Sequence, residues 1–410
     1  MAAGSPLKTG NVIDIDGIQL GRIERPETPS QLADMLAAAA AGGKAVAPIG
    51  GGTKTGYGNV PQRLDYAIST RSFNRILSFE PTDLTLSVEA GTTLAEVQSA
   101  LGEHGQWLPI DAAHPERATI GGLIATALSG PRKLGSESFR DLLIGISVAH
   151  PNGAVSKAGG MVVKNVSGFD MMRLYLGSLG TLGVIVSANF KTLPRPRMER
   201  TLLTTLPTLE AALSLSSRYL QSRVRPVALE IEEGTKGWIV AARIEGRHGA
   251  VEILTGDAIE LAGHRAVEQI ENVESAHWWQ SYVNHQPVGG HDGKLAIRAH
   301  TRPRNIATLA ASAIMAADQL PAAQLSLSPG IGEVRIASGA ANASISSVIA
   351  IREALETVAE HVVIITPYMH LKRGIDVWGA TPETIDVMQA LKQQFDPENV
   401  LNPGRFAGFI

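Results

Sequence analysis

Hydrophobic and polar positions in the first two hundred residues follow two periods, the 3.6-residue period of an α-helix and the two-residue period of a β-strand. Helical spacing predicts a helix over 31–41, capped by Ser30, and the capping box Thr-Leu-Ala-Glu at 93–96 predicts the start of another. Strict alternation over 84–89 predicts a strand with one buried face. Short apolar runs bounded by turn residues predict further strands at 44–49, 64–69, 142–149, 154–157 and 184–193.

The pattern changes after Pro194-Arg-Pro, and we place a domain boundary at residue 197. Strands are expected at 201–206, 227–232, 237–245, 295–300, near 325, near 334 and at 361–366, and helices at 208–221, 248–262, 306–317 and 346–360. The order strand, helix, strand, strand, helix, strand thus occurs about twice. It is typical of an open antiparallel sheet with helices on one face. A last helix is predicted over 382–395.

Composition narrows the class of protein. A chain of 410 residues suggests two or three domains, and 44% hydrophobic with 18% charged residues fits a soluble globular protein. The net charge of −3 gives no attraction to nucleic acid or acidic membranes. The absence of cysteine excludes disulfides, iron–sulfur ligation within this chain and cofactor attachment through a thiol. No metal site, membrane span or secretory signal is predicted, so the expected location is the cytoplasm.

Glycine is concentrated in three stretches, at 42–58, 121–135 and 159–183. The loop over 50–58 has neither the G-x-G-x-x-G order nor a Gly-Lys-Ser/Thr sequence. It still follows a predicted strand with consecutive amides free of side chains, which can form a nest for an anion such as pyrophosphate, and Thr53 adds a hydroxyl. A mobile turn would explain one such cluster, whereas three in one half of the chain favour a ligand site.

Five stretches occur in the order found in FAD domains of the vanillyl-alcohol-oxidase, or PCMH, type, which the chain resembles over about 20–197 and again over 382–406. They are Pro-Ile-Gly-Gly-Gly-Thr at 48–53, Val-Glu-Ala-Gly at 88–91, Thr-Ile-Gly-Gly at 119–122, the run from Arg140 to Gly153, and Lys-Asn-Val-Ser-Gly-Phe-Asp at 164–170 leading into 177–185. The resemblance implies an α+β fold: a two-subdomain FAD-binding domain over 1–197, a ferredoxin-like α+β cap over 198–375, and a segment over 376–410 that returns to the FAD domain.

The resemblance also implies non-covalent FAD. It implies that the glycine loop (residues 50–58) binds the pyrophosphate, residues 119–122 contact the flavin and ribityl chain, and residues 180–185 contact the adenine end. Lys164 and Asp170 would support the flavin domain. Some members of the family attach flavin to a histidine that directly follows the triple glycine. In this chain that position is Thr53, which cannot form the bond, and His114 remains an alternative attachment site. The implied FAD contacts are Pro48, Ile49, Gly50, Gly51, Gly52, Thr53, Thr119, Gly121, Gly122, Ser129, Arg132, Gly180, Thr181 and Ile185.

Within that family the chain resembles the smaller flavin subunit of glycolate oxidase complexes, and its ending at 396–405 is typical of the lactate and glycolate branch. This implies a larger flavin subunit and an iron–sulfur subunit as partners, which could hold the chain at the inner membrane. The His-x-Gly-Asp-Gly-Asn motif of the catalytic relatives is missing; the nearest stretch is Tyr-Met-His-Leu-Lys-Arg-Gly-Ile at 368–375. Alternatives are a stand-alone FAD oxidase or dehydrogenase of a small alcohol or D-2-hydroxy acid, and a scaffold without flavin.

Catalysis of 2-hydroxy acid oxidation would need a cation for the substrate carboxylate and a base for the hydroxyl proton. Arg298 is the candidate clamp, and His300 or His370 the candidate base; Arg298 and His300 share one strand face. The alternative is a salt-bridge arginine and a strand-end histidine. An aromatic cluster is formed by Trp278, Trp279 and Tyr282. It is either a pocket wall over the flavin or part of the core or interface of the cap.

Overall fold

The protein is described from a computed structural model that covers residues 12–161, 170–263, 265–287, 293–339 and 341–410. The N-terminal half contains strands β1 (Ile13–Ile15), β2 (Ile18–Leu20), β3 (Ile23–Glu24), β4 (Val46–Ile49), β5 (Tyr66–Ser69), β6 (Ile76–Glu80), β7 (Thr85–Glu89), β8 (Gln106–Trp107), β9 (Leu143–Ala149), β10 (Val155–Gly159), β11 (Val184–Lys191) and β12 (Leu193–Pro194). Its helices are α1 (Pro29–Ala41), α2 (Leu94–Gly102), α3 (Ile120–Thr126), α4 (Phe139–Leu142) and α5 (Met172–Tyr175).

The first subdomain is the parallel sheet β3-β5-β4 with α1 packed on it and the hairpin β1–β2 beside it. Helix α1 begins two residues earlier than the sequence pattern predicts. Its cap is Thr28 rather than Ser30, because the Thr28 hydroxyl accepts from the Gln31 amide and Pro29 suits the first helical position.

The second subdomain is the antiparallel sheet β10-β9-β11-β7-β6. Every residue of β9 is buried, although buried and exposed residues would alternate along a strand with one face in solvent. The reason is that the sheet separates two apolar cores: Ile146 and Val148 pack with α2 and α3, whereas Ala149 and Val184 pack with α1.

The C-terminal half contains β13 (Met198–Leu206), α6 (Leu209–Gln221), β14 (Ala228–Gly234), β15 (Gly237–Gly246), α7 (His248–Ala262), β16 (Val267–Glu271), α8 (Asn272–His285), β17 (Leu295–His300), α9 (Ile306–Ala317), β18 (Gln324–Ser328), β19 (Glu333–Ser338), α10 (Ile345–Glu356), β20 (His361–Ile365), α11 (Met369–Lys372) and α12 (Ile385–Phe395). Strands β13 to β20 form one eight-stranded antiparallel sheet in the order β16-β13-β15-β14-β18-β19-β17-β20. The two ferredoxin-like units have equivalent strand orders and join edge to edge where Ile231 pairs with Leu327. We call this half the cap.

The two faces of the cap sheet differ in polarity. Helices α6, α7, α9 and α10 cover an apolar face. Helix α8, which the sequence pattern did not predict, lies against β13 and β16, and Gln280 donates to the Ala112 carbonyl of the N-terminal half at 3.0 Å. Trp279 and Tyr282 are buried there with Ala113 and Ala241. Of the two alternatives for this aromatic cluster, the structure therefore has the one in which it forms the core and interface of the cap.

Residues after the cap return to the first subdomain. Leu401 forms a parallel bridge with Val46 at the edge of β4. Lys392 on α12 pairs with Asp396 at 2.6 Å and donates to the carbonyls of Thr181 and Leu401 at 3.0 Å. The C-terminal segment therefore lies directly behind the glycine loop.

Candidate functional site

The glycine loop leaves β4 at Ile49 and packs against the segment that leads into α3. A Cβ on Gly51 would lie 1.6 Å from the Arg117 carbonyl oxygen, and one on Gly50 would lie 2.1 Å from the Thr119 hydroxyl oxygen. No side chain fits at either position, so glycine lets the two backbones touch. Gly52 has φ +71° and open space around it.

These two segments and the C-terminal return line a groove with about 620 Å³ of space, part of which is open to solvent. An adjoining cavity of about 390 Å³ shares Pro48, Ile49, Gly50 and Gly122 with it. The groove is also lined by Gly51, Gly52, Thr53, Lys54, Thr55, Tyr57, Thr119, Asn402 and Arg405, and the adjoining cavity by Gly121, Gly180, Gly183, Val184 and Ile185. The structure thus brings most of the residues expected to contact FAD to one continuous surface.

The donors of the groove suit a dinucleotide. The Thr119 hydroxyl is buried and has no hydrogen-bond partner among the described residues, which leaves it available to a ligand. The glycine loop adds unencumbered backbone, which a diphosphate requires. Thr181, by contrast, does not line these cavities, and its hydroxyl donates to the Ser178 carbonyl at 2.7 Å.

A cluster of charges lies behind the glycine loop. The Lys372 ammonium pairs with Asp16 at 2.6 Å and donates to the Gly56 carbonyl at 2.5 Å. Arg405 pairs with the other oxygen of Asp16 at 3.3 Å and donates to the Thr55 carbonyl. Burial lowers the pKa of Lys372 to about 8, against the attraction of Asp16. Side chains from the N-terminal hairpin, the cap and the C-terminus therefore hold this loop.

A polar pocket of about 560 Å³ adjoins the groove, and the two share Tyr57 and Thr126. It lies between the loop after α3 and the polar face of the cap sheet. Its other polar side chains are Ser129, Lys133, Glu230, Arg298, Ser328, Glu333 and Arg335. Ser129 is thus placed in this pocket rather than in the groove.

Two arginines and two glutamates of the polar pocket are paired. Arg298 contacts Glu333 at 2.6 Å, and Arg335 contacts Glu230 at 2.5 Å and Glu333 at 2.8 Å. Burial opposes the charge of Glu333, but the attraction of Arg298 and Arg335 outweighs it and lowers its pKa to about 2. These four charges cancel, and Lys133 leaves one positive charge among the pocket's Arg, Lys and Glu side chains.

The pKa values of two other groups of the polar pocket are raised rather than lowered. Burial raises the pKa of Glu230 despite the attraction of Arg335. Burial also raises the pKa of the Tyr57 phenol, which stays protonated. The Tyr57 ring packs edge-on against Trp378, with centroids 5.2 Å apart.

The three residues predicted for catalysis are not brought together. Arg298 lines the polar pocket. His300 lies opposite Glu333 on the same sheet face but does not line the pocket. His370 lies on α11, where its Nε2 is 3.3 Å from the Ala343 carbonyl oxygen. Both candidate bases are therefore outside the pocket that contains their proposed partner.

Sequence reasoning missed Glu230, Glu333 and Arg335, although a signal was present. Polar residues alternate with apolar ones along β14, β18 and β19, as in Glu-Val-Arg-Ile at 333–336. In a sheet whose other face is covered by helices, such positions share the uncovered face. Pairing the alternation across neighbouring strands would have collected these side chains.

Arg132 lies at the junction of the two halves. Its guanidinium pairs with Asp111 and contacts Glu199 at 3.2 Å and Glu245 at 2.8 Å, and it stacks 4.6 Å over the Trp107 ring. It does not line the groove or the polar pocket. The structure thus gives this side chain a role in joining the cap to the FAD-binding half.

The remaining sequence candidates lie away from the groove. His114 is partly buried, with its Nδ1 3.8 Å from Glu116, and lines none of these cavities. Asp170 pairs with Arg173 at 2.5 Å near the surface. Lys164 lies outside the described residues.

Two known families match the chain in the regions that form the groove. The FAD binding domain family matches residues 22–168, and the C-terminal domain of FAD linked oxidases matches residues 378–406. The first match contains the glycine loop and α3, and the second contains Arg405. Within the described residues, no helix has the length and apolar character needed to cross a membrane.

Curated relatives match about half of the chain. Glycolate oxidase subunit GlcE of Escherichia coli (strain K12) is 36% identical over 201 residues, which cover 48% of this chain and 55% of that protein. Glycolate oxidase subunit GlcD of Bacillus subtilis (strain 168) is 32% identical over 185 residues, covering 45% and 39%. D-2-hydroxyglutarate dehydrogenase of Xanthomonas citri pv. viticola is 32% identical over 186 residues, covering 45% and 39%.

Solved structures share the fold over nearly the whole chain. Alkyldihydroxyacetonephosphate synthase superposes with a TM-score of 0.69 at 18% identity, covering 94% of this chain and 77% of that one. FgChi7B superposes with a TM-score of 0.69 at 14% identity, covering 92% and 89%. The α+β architecture of two subdomains and a cap is therefore one already known.

Proposed function

Because the chain belongs to the PCMH-type FAD-binding flavoproteins, we propose that it is an FAD-dependent oxidoreductase of small 2-hydroxy acids that takes part in the oxidation of glycolate to glyoxylate. The observation that carries this proposal is the contact, at Tyr57 and Thr126, between the groove and the polar pocket. Residues 1–197 and 376–410 would hold FAD, and residues 198–375 would complete the substrate side.

The charges of the polar pocket support a carboxylate substrate. Arg298 and Arg335 line the pocket, and Lys133 supplies a positive charge that no described carboxylate pairs with. A substrate carboxylate would bind these donors. Bound FAD would supply the acceptor for the hydride that leaves the hydroxyl-bearing carbon.

Two carboxylates of the polar pocket differ as proton acceptors. Glu333, with a pKa of about 2, is a weak base and serves to orient Arg298 and Arg335. Glu230 has a raised pKa and accepts from the Ser328 hydroxyl at 2.6 Å, so we propose Glu230 rather than a histidine as the acceptor of the hydroxyl proton.

We further propose that the chain works in a complex with a larger flavin subunit and an iron–sulfur subunit. Two of its relatives are named as subunits of glycolate oxidase, and the chain has no cysteine with which to bind an iron–sulfur cluster. Electrons would leave through such partners, in the cytoplasm or at the inner membrane to which they bind.

A stand-alone dehydrogenase of a D-2-hydroxy acid is the second candidate. It is favoured by the polar pocket, which contains arginines for a substrate carboxylate and a buried glutamate as a candidate proton acceptor. Anaerobic mixing of the purified chain with glycolate or D-lactate separates the two. Bleaching of its flavin absorbance supports the stand-alone enzyme, and bleaching that requires the partner subunits supports the complex.

Replacing Arg298 tests whether this polar pocket binds the substrate. We expect Arg298→Met to slow flavin reduction by the hydroxy acid roughly a hundredfold while FAD content stays unchanged, because a charge-assisted hydrogen bond is lost. Stopped-flow absorbance of the isolated chain and of the complex measures this rate. Arg302→Met, at an exposed arginine just beyond the same strand, is the control. An unchanged rate for Arg298→Met would remove substrate binding from this pocket.

A further inference from the structure

We infer that Lys54, together with Lys372, Arg405 and Asp16, forms a cationic seat that neutralises the diphosphate of FAD. The cationic seat means these four side chains. The inference rests on FAD binding, not on the hydroxy acid activity. Lys54 and Arg405 line the groove, whereas Lys372 and Asp16 lie behind the loop.

Lys54 has a position unlike that of an ordinary surface lysine. It lies within the glycine loop, lines the groove and is only partly exposed. Its ammonium is 3.4 Å from the Thr53 hydroxyl and contacts no carboxylate of the residues that the structure describes. Burial lowers its pKa to about 8, with no acidic neighbour to oppose the effect. A partly buried cation without a counter-ion is costly unless a bound anion supplies the opposite charge.

The cluster behind the loop adds to this positive charge. Lys372 and Arg405 share one carboxylate, Asp16, and each also bonds a carbonyl of the loop, at Gly56 and Thr55. Asp16, Lys372 and Arg405 are all nearly inaccessible to solvent, so water screens their charges weakly. The loop is therefore rigid as well as positively charged.

The charge count matches the ligand. Three cations and one carboxylate in the cationic seat leave two positive charges. The diphosphate of FAD carries about two negative charges, which peptide amides alone would stabilise only as dipoles. The seat would bring the bound diphosphate to neutrality in a site of low dielectric, and Lys372 would make the cap a contributor to cofactor binding.

Lys54→Met keeps most of the side-chain volume and removes the charge, so it is the test variant, with Lys54→Arg as the variant that restores charge. Apoprotein of each is titrated with FAD, with ADP, which has the diphosphate without the flavin, and with riboflavin, which has the flavin without phosphate. We expect the dissociation constants of FAD and ADP to rise about tenfold to a hundredfold in Lys54→Met, and that of riboflavin to stay the same. Lys54→Arg should recover most of the loss.

Salt dependence and a matched lysine complete the experiment. Because Lys54 acts through charge, the loss in Lys54→Met should shrink as ionic strength rises. Lys44→Met is the control, since Lys44 is exposed, pairs with Asp65 and does not line the groove. Circular dichroism of each apoprotein checks that it is folded. Unchanged ADP and FAD affinity in folded Lys54→Met, or an equal loss for riboflavin, would overturn the inference and leave the proposed activity untouched.

Discussion

At the scale of single residues, the glycines of the loop have a packing role in addition to the ligand contact that their sequence suggests. The sequence indicated close approach to a ligand. The structure shows that Gly51 first permits contact with the Arg117 carbonyl, and Gly50 permits contact with Thr119. These contacts bring the glycine loop and the N-terminus of α3 together, and the groove exists because they touch.

Gly51→Ala should therefore abolish FAD binding by separating the two segments, since its Cβ would fall 1.6 Å from a backbone oxygen that cannot turn away. Flavin content after purification and titration of the apoprotein with FAD measure the effect. The control is Gly256→Ala, at an exposed site in α7 with nothing within 4 Å, where the change should stabilise by about 1 kcal/mol. Full flavin occupancy in Gly51→Ala would contradict this reading of the loop.

At the scale of elements, the cap sheet assigns different tasks to its two faces. Its apolar face packs on four helices, while the opposite face presents the polar pocket and the ionic junction with the FAD-binding half. Arg132 and Arg243 lie in that junction with Asp111, Glu199 and Glu245. Burial is the main cause that raises the pKa of Glu245 and lowers that of Arg243. Because burial disfavours the charged form of each group, the ionic junction depends on the opposite charges that surround it, including both arginines.

Arg132→Met should lower the free energy of unfolding by about 3 kcal/mol, because it leaves three buried carboxylates with one arginine. Urea unfolding measures the change, with the exposed Arg140→Met as control. FAD bound per folded molecule should stay the same. If stability held and FAD were lost, Arg132 would be the cofactor residue that the sequence comparison implied.

At the scale of the whole molecule, Asp16 links three distant parts of the chain. It lies between β1 and β2 and binds Lys372 at the end of the cap and Arg405 near the C-terminus. The glycine loop is held by those same two cations. We therefore expect cofactor binding to be coupled to the packing of the β1–β2 hairpin and the C-terminal segment on this loop.

Asp16→Asn should destabilise the apoprotein by about 3 kcal/mol, because Lys372 and Arg405 would then repel each other without a counter-ion. Saturating FAD should recover more thermal stability in this variant than in the unaltered protein, as the diphosphate replaces part of the lost negative charge. Thermal unfolding with and without FAD checks both expectations. The exposed Asp34→Asn on α1 is the control, and equal FAD-induced shifts in all three proteins would refute the coupling.

The sequence by itself determined most helices and strands, the ferredoxin-like order of the cap, the glycine loop and the FAD class, because these depend on local periodicity and on motifs contiguous in the chain. Helix α8, the hairpin β1–β2 and the cap of α1 escaped it, since their local patterns are short or weak. Only the tertiary structure decided which charges meet. Glu230, Arg298 and Glu333 come from separate strands, and Asp16 and Lys372 are 356 residues apart. The first three meet because their strands lie close together in the cap sheet, and the last two because the cap packs on the N-terminal half. The pattern within any one strand encodes neither arrangement.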